Sequence, residues 1–404
     1  MIGAIKDIGG YAIKKEGNAI EHNDIIVIPQ YYDWWFDNAL EFLGYLLESN
    51  LKVDVKWSEG ISFNPLNDDE IDRLVDEIDR LIEFKLKYEK RDNEGIIEKK
   101  KRTYLPIFHN GKLVNFLVKD KKTKIEILKL LLSSCSIEDK KGKKICDICS
   151  KEYVGKHEIS QVSQAVYPTV SGTLKSQCGI RRMVADYSCC PLCAFIGTIE
   201  WLDDIPFACD FDPKTLTHYL LFPKIEDISE LHKFKKVLRG ELTQKTYSNI
   251  ISIKMVNNLE KEVYAKDEYS LLLSLFEKLH SEVANIRDYE DVFVDDWIYL
   301  RLKDGLTYTE EIKIPKIKSL EKIFKELKTP YSNFIDKSFV KPLKKEGSSD
   351  KISKKLNKEN KYLMSKGIIM NDFKTFAKAF QIRENFSLIA DKDYLDNLIR
   401  LWKT

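Results

Sequence analysis

Apolar positions recur along the chain with two different spacings, and the switches between them mark out its elements. Asp24 to Pro29 is a short apolar run that reads as a strand. From about Asp33 to Glu48, residues Trp35, Ala39, Phe42, Leu43, Leu46 and Leu47 fall near helical spacing, which predicts an amphipathic helix. Leu51, Val53, Val55 and Trp57 then alternate with Lys52, Asp54 and Lys56, the period of a half-buried strand, and Ser58-Glu59-Gly60 turns the chain into another. A long helix is predicted from about Asn67 to Lys90, with Ile71, Leu74, Val75, Ile78, Leu81 and Ile82 on one face. Asn67 is a natural N-cap, and Asp68, Asp69 and Glu70 suit the positive end of the helix dipole. Tyr104 to Lys119 reads as a hairpin turning at Asn110-Gly111, and a helix from Lys121 to Ser134 follows.

Further on, His218 to Pro223 reads as a buried strand and Asp227 to Arg239 as a helix. Residues 267–286 predict another helix, with Leu271, Leu272, Leu275, Phe276 and Leu279 on its apolar side, and Val292 to Ile314 a hairpin with Asp304-Gly305 at its tip. Two segments interrupt the periodicity with charge. Residues 85–102 hold eight Lys or Arg against four acids and are expected to be an exposed loop or arm. Residues 341–361 hold eight lysines against three acids beside Gly347, Ser348 and Ser349, and are expected to be a solvated linker or mobile basic arm. The elements together predict an α+β fold, a mixed N-terminal domain with a helical C-terminal module, into which the pairs Cys146-x-x-Cys149 and Cys190-x-x-Cys193 place a zinc-knuckle insertion. The expected boundaries are 1–134 for the N-terminal α+β domain, 135–210 for the zinc-knuckle region and 211–340 for the rest of the α+β domain. A basic linker at 341–361 and the helical module at 362–404 complete the chain.

With 404 residues, 43% hydrophobic and 32% charged, the chain can bury a large core under a heavily ionised surface. A net charge of +2 excludes a global polyelectrolyte field, so any nucleic-acid contact has to draw on locally concentrated charge. No apolar run approaches the roughly 18 residues that span a bilayer. Lys6 and Asp7 also interrupt the apolar core that a signal peptide needs. A cytoplasmic protein with no membrane partner is expected, and in that reducing setting the eight cysteines are metal ligands or buried thiols rather than disulfides.

Four of those cysteines form a pattern. Cys146-Asp-Ile-Cys149 and Cys190-Pro-Leu-Cys193 are two Cys-x-x-Cys knuckles, in each of which a tight turn can aim both thiolates at one metal. Together they fill the tetrahedral four-sulfur shell favoured by Zn²⁺, leaving no position for water or substrate, so the expected cofactor is a structural zinc. Cys189 is a possible substitute ligand, whereas Cys135, Cys178 and Cys209 read as ordinary buried thiols. Between the knuckles, residues 171–182 contain Lys175, Arg181 and Arg182 but no acid, with Gln177 among them, while Lys151 and Lys156 follow the first knuckle. Cations beside small hydrogen-bonding side chains suit a nucleic-acid contact, with Tyr153, Tyr167 and Tyr187 as stacking faces. A basic loop that is simply solvated has the same composition.

Catalytic signatures do not stand out. No histidine is followed by aspartate, and no phosphate-binding Gly-x-x-x-x-Gly-Lys-Ser/Thr loop, His-x-x-x-His pair or Gly-x-Ser-x-Gly elbow occurs. Asp210 with Asp212, and Asp295 with Asp296, are the acidic pairs that a metal-dependent nuclease could use.

Three landmarks resemble a known family. Tyr32-Asp33-Trp34-Trp35-Phe36-Asp37-Asn38-Ala39 is similar to the opening helix of the large subunits of type I CRISPR (Cascade) complexes. The paired knuckles resemble the CXXC–CXXC branch of that family, and Thr217-His-Tyr-Leu-Leu-Phe-Pro-Lys224 resembles its aromatic strand ending in proline. The three follow the family's order. The resemblance implies a non-catalytic subunit at the 5′ handle of the CRISPR RNA that probes double-stranded target DNA for the protospacer-adjacent motif. Its partners would be the CRISPR RNA, the target duplex, the backbone and handle-binding subunits, and a separate helicase-nuclease, with base pairing reading the remaining sequence. The alternative from another class is a zinc-ribbon nucleic-acid enzyme, nuclease or transposase-related.

Overall fold

The computed structural model of the chain describes residues 25–91, 108–109, 112–113, 117, 119–133, 144–153, 164–169, 189–203, 207–212, 217–243, 267–282, 294, 296–303, 306–316, 320, 326, 338–342, 349–381 and 386–403. The fold is α+β, as the sequence predicts.

Strand β1 (Ile26–Pro29) leads into helix α1 (Trp34–Leu46). Asp33 starts the helix: its Oδ1 accepts from the amides of Trp35 at 2.9 Å and Phe36 at 3.1 Å, two donors that a helix start leaves unpaired. Its spacing predicts one apolar face, yet every residue from Trp35 to Gly44 is buried, nearly three turns and therefore the whole circumference. The reason is that the polar positions also have partners inside. Asn38 Nδ2 donates to Trp34 O and, at 3.0 Å, to Pro223 O, while Asp37 accepts from the amides of Tyr31 and Asp33. Burial lifts the Asp37 carboxyl to about 7 in spite of these bonds.

The strand predicted over Leu51–Trp57 starts late. A π-helical turn, Leu47–Leu51, extends α1 and is closed by Lys52 at φ 62°. Only Lys56–Ser58 is strand β2, pairing with β3 (Gly60–Phe63), which pairs in turn with β1. Leu51 and Val55 are buried nonetheless, so apolar alternation there reports burial and not a strand. Trp57 lies so close to α1 that a Cβ on Gly44 would come within 2.3 Å of its ring.

Helix α2 (Asp68–Arg91) opens with a capping box: Glu70 N donates to Asn67 Oδ1 at 2.9 Å and Asn67 N to Glu70 Oε2 at 2.8 Å. Its last turns include residues 85–91, so the first part of the expected basic arm is helical, and 92–102 lie outside the described residues. The hairpin β4 (Phe108–His109) and β5 (Lys112–Leu113) has the expected register around Asn110-Gly111. Helix α3 (Lys121–Leu132) is capped by Asp120 and paired to α2 through Lys121 with Asp72 and Asp76, Lys124 with Asp79, and Lys129 with Asp68.

Beyond the cysteine region lie helix α4 (Pro191–Ile199) with a 3-10 turn Glu200–Leu202, strands β8 (Phe207–Asp212) and β9 (Thr217–Pro223), and helices α5 (Ile228–Thr243) and α6 (Glu268–Glu282). Strands β10 (Asp296–Lys303) and β11 (Leu306–Lys313) form the predicted hairpin, and the four strands make one antiparallel sheet in the order β11-β10-β9-β8. Leu220, Phe222, Ile298, Leu300 and Leu302 face a core built with α1 and the cysteine knuckles. The alternate positions Tyr219, Leu221, Trp297 and Tyr299 face a second core built with α6 and the C-terminal helices. Period-two alternation thus assigns neighbouring residues to opposite cores.

Within the expected linker at 341–361 the described residues are strand and helix, and 343–348 lie outside them. Strand β12 (Phe339–Pro342) pairs with β13 (Phe386–Ile389), and Ser349–Ile369 is helix α7, followed by α8 (Phe373–Lys378) and α9 (Lys392–Lys403). Leu356, Met364 and Ile368 recur at helical spacing and are buried, a signal that the dense lysines between them hid. The boundary expected at 361/362 therefore falls inside one helix.

A buried ionic network joins α1, the 3-10 turn and α5. Arg239 donates to both carboxylate oxygens of Glu41 (2.6 and 2.8 Å) and to Asp203 at 2.9 Å, and Lys235 Nζ lies 3.0 Å from Asp203 and 3.5 Å from Glu41. Burial alone would raise the Glu41 carboxyl, but the charges of Arg239 and Lys235 outweigh it and hold it at about 2. His232 bridges Glu41 at 2.9 Å and Glu48 at 3.3 Å under the stacked ring of Trp57. Glu200 is compensated less well. It is 0% exposed, neither oxygen has a hydrogen-bond partner among the described residues, and Lys235 is 3.9 Å away. Burial pushes its carboxyl well above the ordinary 4.5, with Lys235 opposing and Asp203 and Glu41 reinforcing the shift.

The sign of its effect on stability follows. The unfolded chain releases the Glu200 proton near 4.5 and the folded chain holds it, so stability falls as pH rises above that value. Glu200→Gln removes this loss: the variant is expected to melt above the parent at pH 7–8, and the difference to vanish as pH falls to about 4. Equal melting temperatures throughout that range would show that Glu200 carries no buried-charge penalty.

Candidate metal centre

The first knuckle sits on a miniature hairpin. Strands β6 (Lys144–Ile145) and β7 (Glu152–Tyr153) pair in antiparallel register, and Cys146 N donates to Lys151 O at 2.8 Å. Ser150 N returns to Cys146 O at 2.8 Å, with Ser150 at φ 60° closing the turn. The second knuckle is a helix start. Cys190 is the N-cap of α4, Pro191 occupies the first turn where its missing N–H costs nothing, and Cys193 N donates to Cys190 Sγ at 3.5 Å.

The two meet. The Sγ atoms of Cys146, Cys149, Cys190 and Cys193 all lie within 4.8 Å of one another, and all four residues are buried. Cys149 and Cys190 are 3.8 Å apart. A regular tetrahedron with zinc–sulfur bonds of about 2.3 Å has edges of about 3.8 Å, so the sulfurs already have the size of a four-thiolate shell. Amide donors face them as well: Cys190 N reaches Cys146 Sγ at 3.2 Å, and the positive end of α4 faces the same cluster. Tyr31 Oη lies 3.5 Å from Cys193 Sγ.

Four thiolates this close together would call for a cation. Burial pushes the Cys193 thiol far up, and the neighbouring sulfurs push Cys190 up too, whereas hydrogen bonds from the other three hold Cys146 well below the usual thiol range. The cluster by itself therefore favours some thiols over four thiolates, and a divalent ion supplies the missing positive charge. A four-cysteine centre that can hold a metal ion is thus present, and its donors and dimensions fit zinc. Cys189 stands outside the four: it is buried, and burial raises its thiol. Cys135 and Cys178 lie outside the described residues.

Lys151 is half-buried beside the sulfurs, where burial lowers its ammonium pKa and the thiolates oppose that shift. The other residues expected to meet nucleic acid, Lys156, Lys175, Gln177, Arg181 and Arg182, lie outside the described residues. Part of the segment between the knuckles is described, and it folds back onto α1. Val166 O accepts from Trp35 Nε1 at 2.7 Å, and Ala165 O from Trp201 Nε1 at 3.1 Å. Tyr167, expected as a stacking face, instead stacks on Phe36 at 5.7 Å and donates to Asp33 Oδ2 at 2.8 Å.

The acidic pairs are apart. Asp210 stands in register with Tyr219, which pairs with Arg301, and Asp296 lies five residues back along that strand, about 17 Å at 3.4 Å per residue. What sequence reading missed is the buried ionic network. Its trace was a His232, Lys235 and Arg239 series at helical spacing among the apolar residues of α5. No protein-family model matches the chain, and neither a curated protein nor a solved structure is significantly similar to it.

Metal removal should loosen both knuckles at once. The centre crosslinks residues 44 apart, a closure that contributes roughly 3–5 kcal/mol. About one zinc per chain is expected by elemental analysis, with a chelator lowering the melting temperature. Cys193→Ser should lose both metal and soluble protein, and Cys189→Ser neither. A metal-free protein that melts unchanged would refute the assignment.

Proposed function

We propose that the chain is the non-catalytic, zinc-binding large subunit of a type I CRISPR surveillance complex, which meets guide RNA and target duplex and probes the duplex for the adjacent motif. One observation supports this reading above the others: the three sequence landmarks that carry the resemblance form a single contiguous core. Trp34 and Trp35 of the opening helix meet Phe222 of the aromatic strand at 5.2 and 5.5 Å, edge to face. Asn38 donates to Pro223 O, the proline that ends that strand. Trp35 Nε1 also donates to Gly197 O in α4, the helix that starts at the second knuckle, and Tyr31 reaches Cys193.

In this reading the zinc is architectural. Bound to four thiolates, it offers no open position for water or substrate and serves to hold the base of the segment between the knuckles. That segment presents Lys175, Gln177, Arg181 and Arg182, with Lys151 and Lys156 at its start, to phosphates. Guide pairing supplies sequence discrimination.

The test uses the assembled complex with its guide RNA. Arg181→Ala with Arg182→Ala is expected to weaken binding to all targets alike and to flatten the dependence of log K on log salt by about two units. Unchanged binding would remove the loop from the interface. Failure of the chain to join backbone subunits and guide RNA would end the CRISPR reading, and metal-dependent cleavage lost on Asp210→Ala would favour the nuclease alternative.

A further inference from the structure

Helix α7 holds five of the eight lysines expected in a linker, and its geometry sorts them. Leu356, Met364, Ser365 and Ile368 are buried, while Lys354, Lys355 and Lys358 are exposed. Lys355, Lys358, Tyr362 and Lys366 follow one another at intervals of three, four and four residues, which places them on one stripe of the helix. Lys354 and Lys361 flank it. From Lys355 to Lys366 the stripe runs about 16 Å, at ~1.5 Å per residue.

Aromatic rings interleave with the cations. Lys366 Nζ lies 4.9 Å from the centre of the Tyr269 ring and 5.4 Å from that of Tyr362, and it donates to Tyr362 Oη at 3.2 Å. Tyr269 meets Tyr362 edge to face at 5.7 Å, which holds the half-buried Tyr362 ring in place. The acids of the same helix are Asp350, four residues before Lys354, and Glu359, four residues after Lys355, and Glu268 lies near Lys366. The helix carries six lysines against its own two acids.

From this arrangement we propose that the outer face of α7 is a contact for a single nucleic-acid strand, with Lys354, Lys355 and Lys358 on phosphates and Tyr362 against a base. A duplex or an acidic protein would satisfy the lysines. The tyrosine held among them favours a strand whose bases are unstacked and free to meet a ring. Because the lysines stand on a helix packed into the second core, little backbone order is lost on binding, unlike in a Gly/Ser-containing arm. The inference rests on the nucleic-acid part of the preceding reading and not on its CRISPR part.

The full, zinc-loaded chain is titrated with a labelled oligothymidine strand and with a duplex of equal length, over a range of salt. Lys354→Ala, Lys355→Ala and Lys358→Ala together are expected to flatten the strand's log K against log salt by about two, from ~0.7 per phosphate contact. Tyr362→Leu is expected to weaken strand binding roughly tenfold at fixed salt with the duplex little affected, and Tyr362→Phe, which keeps the ring, to bind like the parent. Melting temperatures establish that each variant is folded. An unchanged salt slope in the triple variant overturns the proposal, as does equal loss for strand and duplex, or a parent that binds no strand at low salt. Strand binding by the free chain together with failure to join guide RNA and backbone subunits would leave this contact standing and remove the CRISPR reading.

Discussion

Helix α1 is enclosed on every side, so its polar groups depend on partners within the protein, and among the described residues Asn38 Oδ1 is left without one. Much of the surrounding structure meets that demand. Asp37 is met by backbone amides of the chain entering the helix, Asn38 by the carbonyl that ends β9, and Glu41 by two cations on α5. An unmatched carboxylate at this depth would cost several kcal/mol, which is why Arg239 and Lys235 are drawn inside despite the desolvation they suffer. The matching is weakest at one acid, Glu200, whose oxygens have no hydrogen bond among the described residues and whose nearest cation, Lys235, is 3.9 Å away.

The cysteine centre belongs to the same enclosure. Cys190 and Cys193 open α4, a short helix packed along α1, and the Trp35 indole bonds to the carbonyls of both Gly197 and Val166. A Cβ at Gly197 would come within 2.2 Å of Val166 O, so the segment leaving the first knuckle lies directly on the helix that leaves the second. A metal held there would tie together two pieces already wedged against one indole ring. It would fix their ends and leave their middle to packing.

Local signals in the sequence were strong where geometry is decided by a few neighbouring atoms. The Asn67 and Glu70 capping box, the two-residue turn at Asn110-Gly111 and the four knuckle cysteines each carry their own stereochemistry, and each was legible before any fold was known. Signals failed where a distant element changed the outcome. The alternation at Leu51–Trp57 matched a strand, but α1 runs on through a π turn and buries Leu51 and Val55 in irregular backbone. In α7 the abundance of lysine outweighed the sparse apolar series Leu356, Met364 and Ile368, because composition is counted more easily than phase. The ionic network had the weakest trace of all. Whether Glu41 faces solvent or Arg239 depends on a helix nearly two hundred residues away.

The central sheet has a consequence for how the chain could have been assembled or divided. Ile298 and Tyr299 are adjacent, yet one lines the core around α1 and the other the core around α6 and α7. β9 and β10 act as a party wall: neither room can be demolished without exposing the other's plaster. Cut the chain before β10 and the N-terminal half loses Ile298, Leu300 and Leu302. Cut it after β9 and Tyr219 and Leu221 face water. Truncation or insertion would therefore be tolerated at the margins of the sheet and not within it, whatever the sequence composition suggests about modules.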